Sequence, residues 1–582
     1  MSDLRCGLGR MAVLALAIAA SGCQITPTAS SSAANREPFR SEIETAAVRD
    51  VPIPAAELER DQIYQLLVAE FAGKREQLPL ALKHYLALAE QTRNRDIVER
   101  AARIALFADD NDAALRAGKL WVEVAPENLD ARQLLAASLI RAGQGTAALE
   151  HLKYVLSKDR SNDGNRFRAI ANLLGSEADR QTALSVMEAL VATRPNDTDA
   201  EVAYALLAMR AENLPKARAA MESLVGKIDI NPNLALAYVA LLQKQGEAGE
   251  GSRFLERALK RAPDEMGLRL LYARMLADDR QYEAARRQFS LLEKKAPDNA
   301  DVVYALGLLN LQANKVDDAE RNFLTLAKTP DRESEAAFYL GQIEESRGKR
   351  EAALSRYETV KTGANVLPSQ LRRAVLLASL ERLDESRQLL AGIKTEDQTE
   401  RSQVALTHAE ILVAHDKLDE AMAVYDQALN GLYDMPLLYN RAMLAERMGK
   451  LELLESDLKT ILEREPDNAQ ALNALGFTLA DRTTRYEEAR ALIEKALKVG
   501  PRDFYVLDSM GWVLFKLGQA EAAIPYLEEA RKIRDDPEVA AHLGEVLWSL
   551  GRRKEAREVW EKALKQHPEQ PKLLDTIKRL AP

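Results

Sequence analysis

From residue 62 onward the chain repeats itself every 33 to 35 residues, and a period of that length means that no single segment can bury its apolar face alone. The last copy shows the pattern best, with Gly544, Gly551, Ala556, Trp560, Ala563 and Pro568 at positions 8, 15, 20, 24, 27 and 32 of a 34-residue frame. Each residue type has a mechanical reason. Small residues at 8 and 20 let two helices approach closely, a large residue at 24 fills the space beside them, glycine at 15 suits the turn, and proline at 32 ends the second helix. The frame recurs as Gly511, Gly518, Ala523 and Ala530; as Gly476, Ala489, Ala496 and Pro501; and as Gly341, Gly348, Ala353 and Tyr357. It recurs again as Gly307, Ala319 and Phe323, and as Ala273, Ala285, Phe289 and Pro297. Fainter copies carry Ala421 with Tyr425, Ala183 with Pro195, Ala148, Ala114 with Pro126, and Ala81 with Tyr85. The copies near 367 and 435 are the poorest, with Ser386 and Leu454 where alanine is expected.

This spacing is that of the tetratricopeptide repeat (TPR), a pair of antiparallel helices. It predicts an all-α chain, a TPR superhelix (α-solenoid) of about fifteen helix pairs over residues 57–570. Residues 571–582 are expected to add a C-terminal capping helix, in which Leu573, Leu574, Ile577 and Leu580 form the apolar side. Aromatic residues make up only 5% of the chain, which suits a core of Leu and Ala between stacked helices.

Residues 1–22 read as a lipoprotein signal peptide: Arg5 and Arg10 are followed by the apolar stretch Met11 to Ala20, which is too short to span a bilayer. The stretch runs into Ala20-Ser21-Gly22-Cys23, which resembles the lipobox of bacterial lipoproteins, with Ala20 in place of the usual Leu. That resemblance implies lipidation of Cys23. With Gln24 next rather than Asp, it also implies an outer-membrane location facing the periplasm. Cys6 leaves with the signal, so Cys23 would be the sole thiol and no intramolecular disulfide is possible. Residues 23–56 are rich in Ser, Thr, Ala and Pro and read as the lipidated Cys with a flexible linker, whose reach is on the order of 30 Å.

The net charge of -9, from 80 basic and 89 acidic residues, excludes a general nucleic-acid binder, which needs a basic surplus to neutralise phosphates. The chain contains no HExxH, GxGxxG, P-loop or GxSxG motif. His408 and His415 lie two helical turns apart but have neither a cysteine nor a third histidine near them, and read as ordinary surface residues. The acid pairs Glu344-Glu345 and Asp535-Asp536 read as solvated faces and caps. The repeats leave no room for a separate catalytic domain. The expectation is therefore a chain that is not an enzyme and needs no cofactor or metal.

Function must then come from the helices themselves, where positions 2, 5, 9, 12 and 13 of the first helix in each unit line one wall. The candidate client groove comprises Tyr304, Phe338, Glu410, Tyr439, Glu446, Phe477, Tyr505, Asp508, Trp512 and Glu545, an acidic and aromatic set. Packing alone accounts for aromatics at position 12, such as Phe515 and Trp548. Position 9 is usually polar, which leaves Trp512 and Phe477 as candidates for ligand contact. In the first half the equivalent positions carry Lys74, Arg103, Arg141, Arg168, Arg210 and Lys244. A second candidate lies in the opening helix, roughly Glu57 to Arg75. There Tyr64, Leu67 and Phe71 form a stripe with no preceding repeat to pack against. Either a partner docks on it or linker residues such as Val51 and Ile53 fold over it.

The phrases ALGFTLADRTTRYEEAR, DSMGWVLFKLG, HLGEVLWSLGRRKEA and VWEKAL, together with the lipobox, resemble the proteobacterial outer-membrane TPR lipoproteins, most closely the LbcA type. That resemblance implies a non-catalytic adaptor that brings peptidoglycan hydrolases, as clients, to a periplasmic carboxyl-terminal processing serine protease. The other class in play is a TPR lipoprotein for outer-membrane protein assembly or polysaccharide export.

Overall fold

The computed structural model describes residues 59–158, 165–175, 179–195 and 197–581. The segments read as signal peptide, lipidated Cys23 and linker to residue 56 therefore lie outside the described residues. The described residues form 31 helices and no strand, in an unbroken succession of antiparallel pairs from Arg60–Lys74 to Arg553–Gln566, followed by Pro571–Leu580. This is the expected fifteen pairs and a closing helix. The first helix begins at Arg60, and residues 57 and 58 are not among those described. The array divides into two compact units, one reaching Leu326 and the other starting at Ala327.

Local chemistry sets the helix ends. In many pairs the first helix starts behind an Asn or Asp whose side-chain oxygen accepts one or two orphan backbone N–H groups, as at Asn94, Asn128, Asn299, Asn468, Asp503 and Asp536. The turn within the last pair is made by Gly551 at φ 77°, a left-handed conformation that glycine takes without strain. The second helix ends at the residue before proline. Ala125, Ala262, Ala296, Glu465, Gly500 and His567 each adopt ψ between 67 and 73° ahead of Pro126, Pro263, Pro297, Pro466, Pro501 and Pro568. The proline ring denies them the helical region.

Packing inside a pair follows the frame more closely than the spacing alone states. The large residue at position 24 lies directly on the small residue at position 8. A Cβ added to Gly544 would sit 2.0 Å from Trp560 Nε1, and one added to Gly341 would sit 2.6 Å from the Tyr357 ring. Gly307 has the same relation to Phe323, at 2.8 Å. Smaller fillers come as close, with Gly511 against Leu527 at 2.5 Å and Gly476 against Ile493 at 2.6 Å. The two poor units pair normally. Ser386 is buried, and its hydroxyl donates to the Ala374 carbonyl oxygen at 2.8 Å, which satisfies the polar atom that alanine would have avoided. Leu454 is buried opposite Ala442.

Candidate functional site: the wall of first helices in the C-terminal unit

The wall is built from Gln398–Ala414, Met435–Arg447, Ala469–Arg482, Phe504–Lys516 and Pro537–Ser549, the first helices of successive pairs. Each packs beside the next, so a residue faces its counterpart about one period further along.

The aromatic candidates prove to be an internal strut. Trp512 is only 4% exposed, its indole stacks on the His542 ring at 4.2 Å, and its Nε1–H donates to Asp481 at 3.2 Å. His542, 2% exposed, donates Nδ1–H to the Asp508 carboxylate at 2.9 Å, the direction being set because a carboxylate only accepts. Phe477 lies 6.1 Å from the same imidazole, and Lys516 places its ammonium 4.9 Å from the centre of the Trp512 indole. Three successive first helices are thereby joined by one line of rings and hydrogen bonds.

Four expectations are corrected by this geometry. Trp512 has no face left for a ligand, because His542 and the surrounding core occupy it. Asp508 is buried and committed to His542. Glu545 is engaged by Arg579 of the closing helix at 2.6 Å. Phe338 is buried against Tyr339 and Tyr357. Glu345 is likewise no solvated acid: it accepts from Tyr357 at 3.0 Å and from Arg372 at 2.7 Å. His415 is half-buried, with its ring nitrogens 2.9 and 3.2 Å from the carbonyls of Ile411 and Ala378.

What remains open to solvent is a smaller acidic and phenolic patch. Glu410 and Tyr505 are exposed, and Tyr439, Glu446 and Phe477 are half-buried. The Glu410 carboxyl is nonetheless pushed above the usual range by desolvation. Glu410 thus keeps access to water while the protein around it disfavours its charge. Glu446 is also pushed up, chiefly by burial. Asp481 and Glu538 raise it further, while Arg482 and Lys572 oppose them. Burial raises the Tyr439 hydroxyl, which bonds to Gln470 and feels Glu446 and Tyr505. The patch thus gathers Glu446, Asp481 and Glu538 with two phenols, a surface suited to cationic side chains. Tyr304, which belongs to the N-terminal unit, is half-buried. The cations of that unit are largely engaged: Arg103 with Glu99 at 2.8 Å, Lys244 with Glu212 at 2.8 Å, and Arg210 with Asn172 at 2.9 Å.

The opening helix has two apolar sides. Leu66, Ala69 and Ala72 are buried, while Tyr64, Leu67 and Phe71 are 68, 46 and 61% exposed. Ile63, which the sequence reading passed over, extends the exposed stripe. The helix is held by Glu70, which accepts from Tyr85 and Arg100. Sequence reading also missed His542. It would have surfaced from pairing residues one period apart, since Asp508 and His542 are separated by 34 positions.

A chain of paired helices with no strand among its described residues, offering acidic and apolar surfaces, belongs to the class of helical-repeat scaffolds for protein–protein contact. The tetratricopeptide-repeat family matches residues 168–235, 304–365, 439–504 and 477–539, and a further tetratricopeptide-repeat match covers 514–580. The chain is 41% identical to the TPR repeat-containing protein PA4667 of Pseudomonas aeruginosa over 489 residues, 83% of this chain and 82% of that protein. It belongs to the TPR repeat-containing proteins. Among solved structures, the thermophilic TPR protein TTC0263 of Thermus thermophilus is 26% identical. It covers 32% of this chain and 97% of its own length, with a TM-score of 0.27. The APC/C hetero-tetramer Cut9-Hcn1 is 15% identical over 90% of this chain and 97% of that one, also at 0.27.

Proposed function

We propose that this TPR protein is a non-catalytic adaptor, anchored to the outer membrane through lipidated Cys23. In this reading it docks a periplasmic carboxyl-terminal processing protease on its opening helix and holds client proteins, the peptidoglycan hydrolases, on the acidic wall of its C-terminal unit. The observation that carries the reading is the exposed stripe of Ile63, Tyr64, Leu67 and Phe71. Terminal repeats of such arrays turn a polar face outward, and four large apolar residues in water are a contact waiting for a partner. The acidic patch around Glu410 and Glu446 supports a second, chemically different contact, and an adaptor needs two. The resemblance to LbcA-type lipoproteins supplies the identities of protease and hydrolase.

The test is capture from envelope extract by the wild type and by a variant with Tyr64, Leu67 and Phe71 changed to Ser. Loss of the protease with the hydrolases retained is expected, and undiminished protease capture overturns the docking assignment. Recovery of barrel-assembly or polysaccharide-export proteins in place of protease and hydrolases transfers the protein to that other class. Cys23→Ser should release a folded protein from the membrane fraction, and equal membrane recovery of both forms would remove the anchor from the scheme.

A further inference from the structure

A cavity of about 650 Å³ opens at the last helix pair, lined by Trp548, Arg553, Lys554, Arg557, Leu580 and Ala581 and rimmed by Glu558 and Glu561. In the preceding pairs of this unit the second helix packs against the first helix of the next pair, whereas the closing helix lies mainly against Pro537–Ser549 and leaves much of Arg553–Gln566 bare. The floor is the indole of Trp548, supported by the buried Trp560 at 5.7 Å. The guanidinium carbons of Arg553 and Arg557 stand 5.3 and 5.8 Å from the centre of the Trp548 ring.

Two features of this charge are not accounted for by folding. Neighbouring arginines are paired, Arg552 with Glu555 at 2.6 Å and Arg579 with Glu545 at 2.6 Å, yet among the described residues neither Arg553 nor Arg557 has a carboxylate within 4.0 Å. Arg553 and Lys554 also open their helix, where the dipole favours acids. Glu555 completes that turn, but where Lys554 stands other second helices carry Asp419, Glu487, Glu521 and Glu351. Lys554 reaches Glu558 at 4.0 Å, whereas Arg553 and Arg557, without a carboxylate partner beside a half-buried tryptophan, are suited to an incoming one.

We propose that this cavity docks an acidic amphipathic helix of a partner protein, in the space a following repeat would fill. An apolar side chain of the partner rests on Trp548 and Leu580, and its carboxylates engage Arg553 and Arg557. A protein segment fits better than an anionic membrane, because the recess lies between two helices, where a single side chain enters and a flat sheet of headgroups does not. The site goes beyond the adaptor reading, since neither the opening helix nor the acidic wall contributes to it.

The experiment uses the full chain carrying Cys23→Ser and a dye-labelled synthetic amphipathic helix with Glu on its polar side and Leu on its apolar side. Binding is read by fluorescence anisotropy. The acidic helix should bind, less tightly as salt rises, and Arg553→Glu with Arg557→Glu should weaken it about tenfold or more. Both arginines are exposed, so the fold should survive, and the helical circular-dichroism spectrum checks this. The milder Arg557→Gln should give a smaller loss in the same direction. Arg350→Glu, at an exposed arginine that opens another second helix and belongs to no proposed contact, should leave the affinity unchanged, which separates this site from general surface charge. Equal binding of a Lys-for-Glu counterpart, no loss in the arginine variants, or co-sedimentation with phosphatidylglycerol vesicles without peptide binding would overturn the proposal.

Discussion

The first helix of the array and the last occupy the same formal position, the end of a stack, and treat it in opposite ways. Pro571–Leu580 buries Leu573 and Thr576 and turns Lys572, Asp575, Lys578 and Arg579 away from the core, with Leu574 its one large apolar residue more than a third exposed. Arg60–Lys74 buries Leu66, Ala69 and Ala72 as well, yet leaves Ile63, Tyr64, Leu67 and Phe71 in water. One end is sealed over Pro537–Ser549 by a helix with a charged outer side, while the cavity at Trp548 beside it stays open. The other has the composition of an internal repeat with no neighbour over that stripe among the described residues. A departure of that kind from the local rule is what the proposed docking of a partner would explain.

The largest expected effect is at the sealed end. Leu573→Ala should cost about 2–5 kcal/mol in the stability of the C-terminal unit, because the cavity opens where the closing helix covers Pro537–Ser549. Hydrogen exchange across Pro537–Gln566 is the measurement, and protection there equal to wild type would mean that the closing helix seals nothing. Next comes Gly544→Ala, which places a methyl group against Trp560 and should cost about 1–3 kcal/mol by overpacking. The control Gly143→Ala meets no neighbouring atom, so its cost is confined to backbone strain at φ 69°.

At the open end the prediction is a small number. Changing Tyr64, Leu67 and Phe71 together to Ser should alter the thermal midpoint by no more than about 0.5 kcal/mol would, because exposed side chains away from special features contribute little to folding. A large destabilisation would show that something covers them in the free protein and would weaken the contrast between the two ends.

The smallest effect concerns the acidic wall. Burial raises the folded-state pKa of Glu410 above its unfolded value, so at neutral pH its charge opposes folding, and that penalty fades as pH falls through the raised pKa and then the ordinary Glu value of about 4.3. Glu410→Gln should therefore raise the melting temperature slightly at pH 7 and not at all near pH 4. Binding of a basic peptide to the wall should show the opposite trend. It weakens as pH falls and the Glu410 and Glu446 carboxyls take up protons, beginning at a higher pH than for exposed carboxylates. Titration calorimetry at several pH values reads this directly, and a pH-independent affinity would remove both residues from the site.

The sequence alone determined the helix-pair architecture, the number of pairs, the turn at Gly551, the helix ends before Pro501 and Pro568, and the unmatched stripe of Tyr64, Leu67 and Phe71. All of these are short-range facts, set by backbone sterics, capping and the apolar period within one unit. Which wall residues face water was decided only in three dimensions. Position 9 is polar in most such repeats, so Trp512 stood out as a ligand contact, but its surroundings belong to other repeats: Asp481 on the helix before and His542 on the helix after. The same holds for Glu545, which Arg579 of the closing helix takes up, and for Arg553 and Arg557, which lie beside Trp548 with no carboxylate partner among the described residues. A periodic sequence specifies each unit from within. The exposure and charge state of a residue on its flank depend on the side chains one period away, and only packing brings those together.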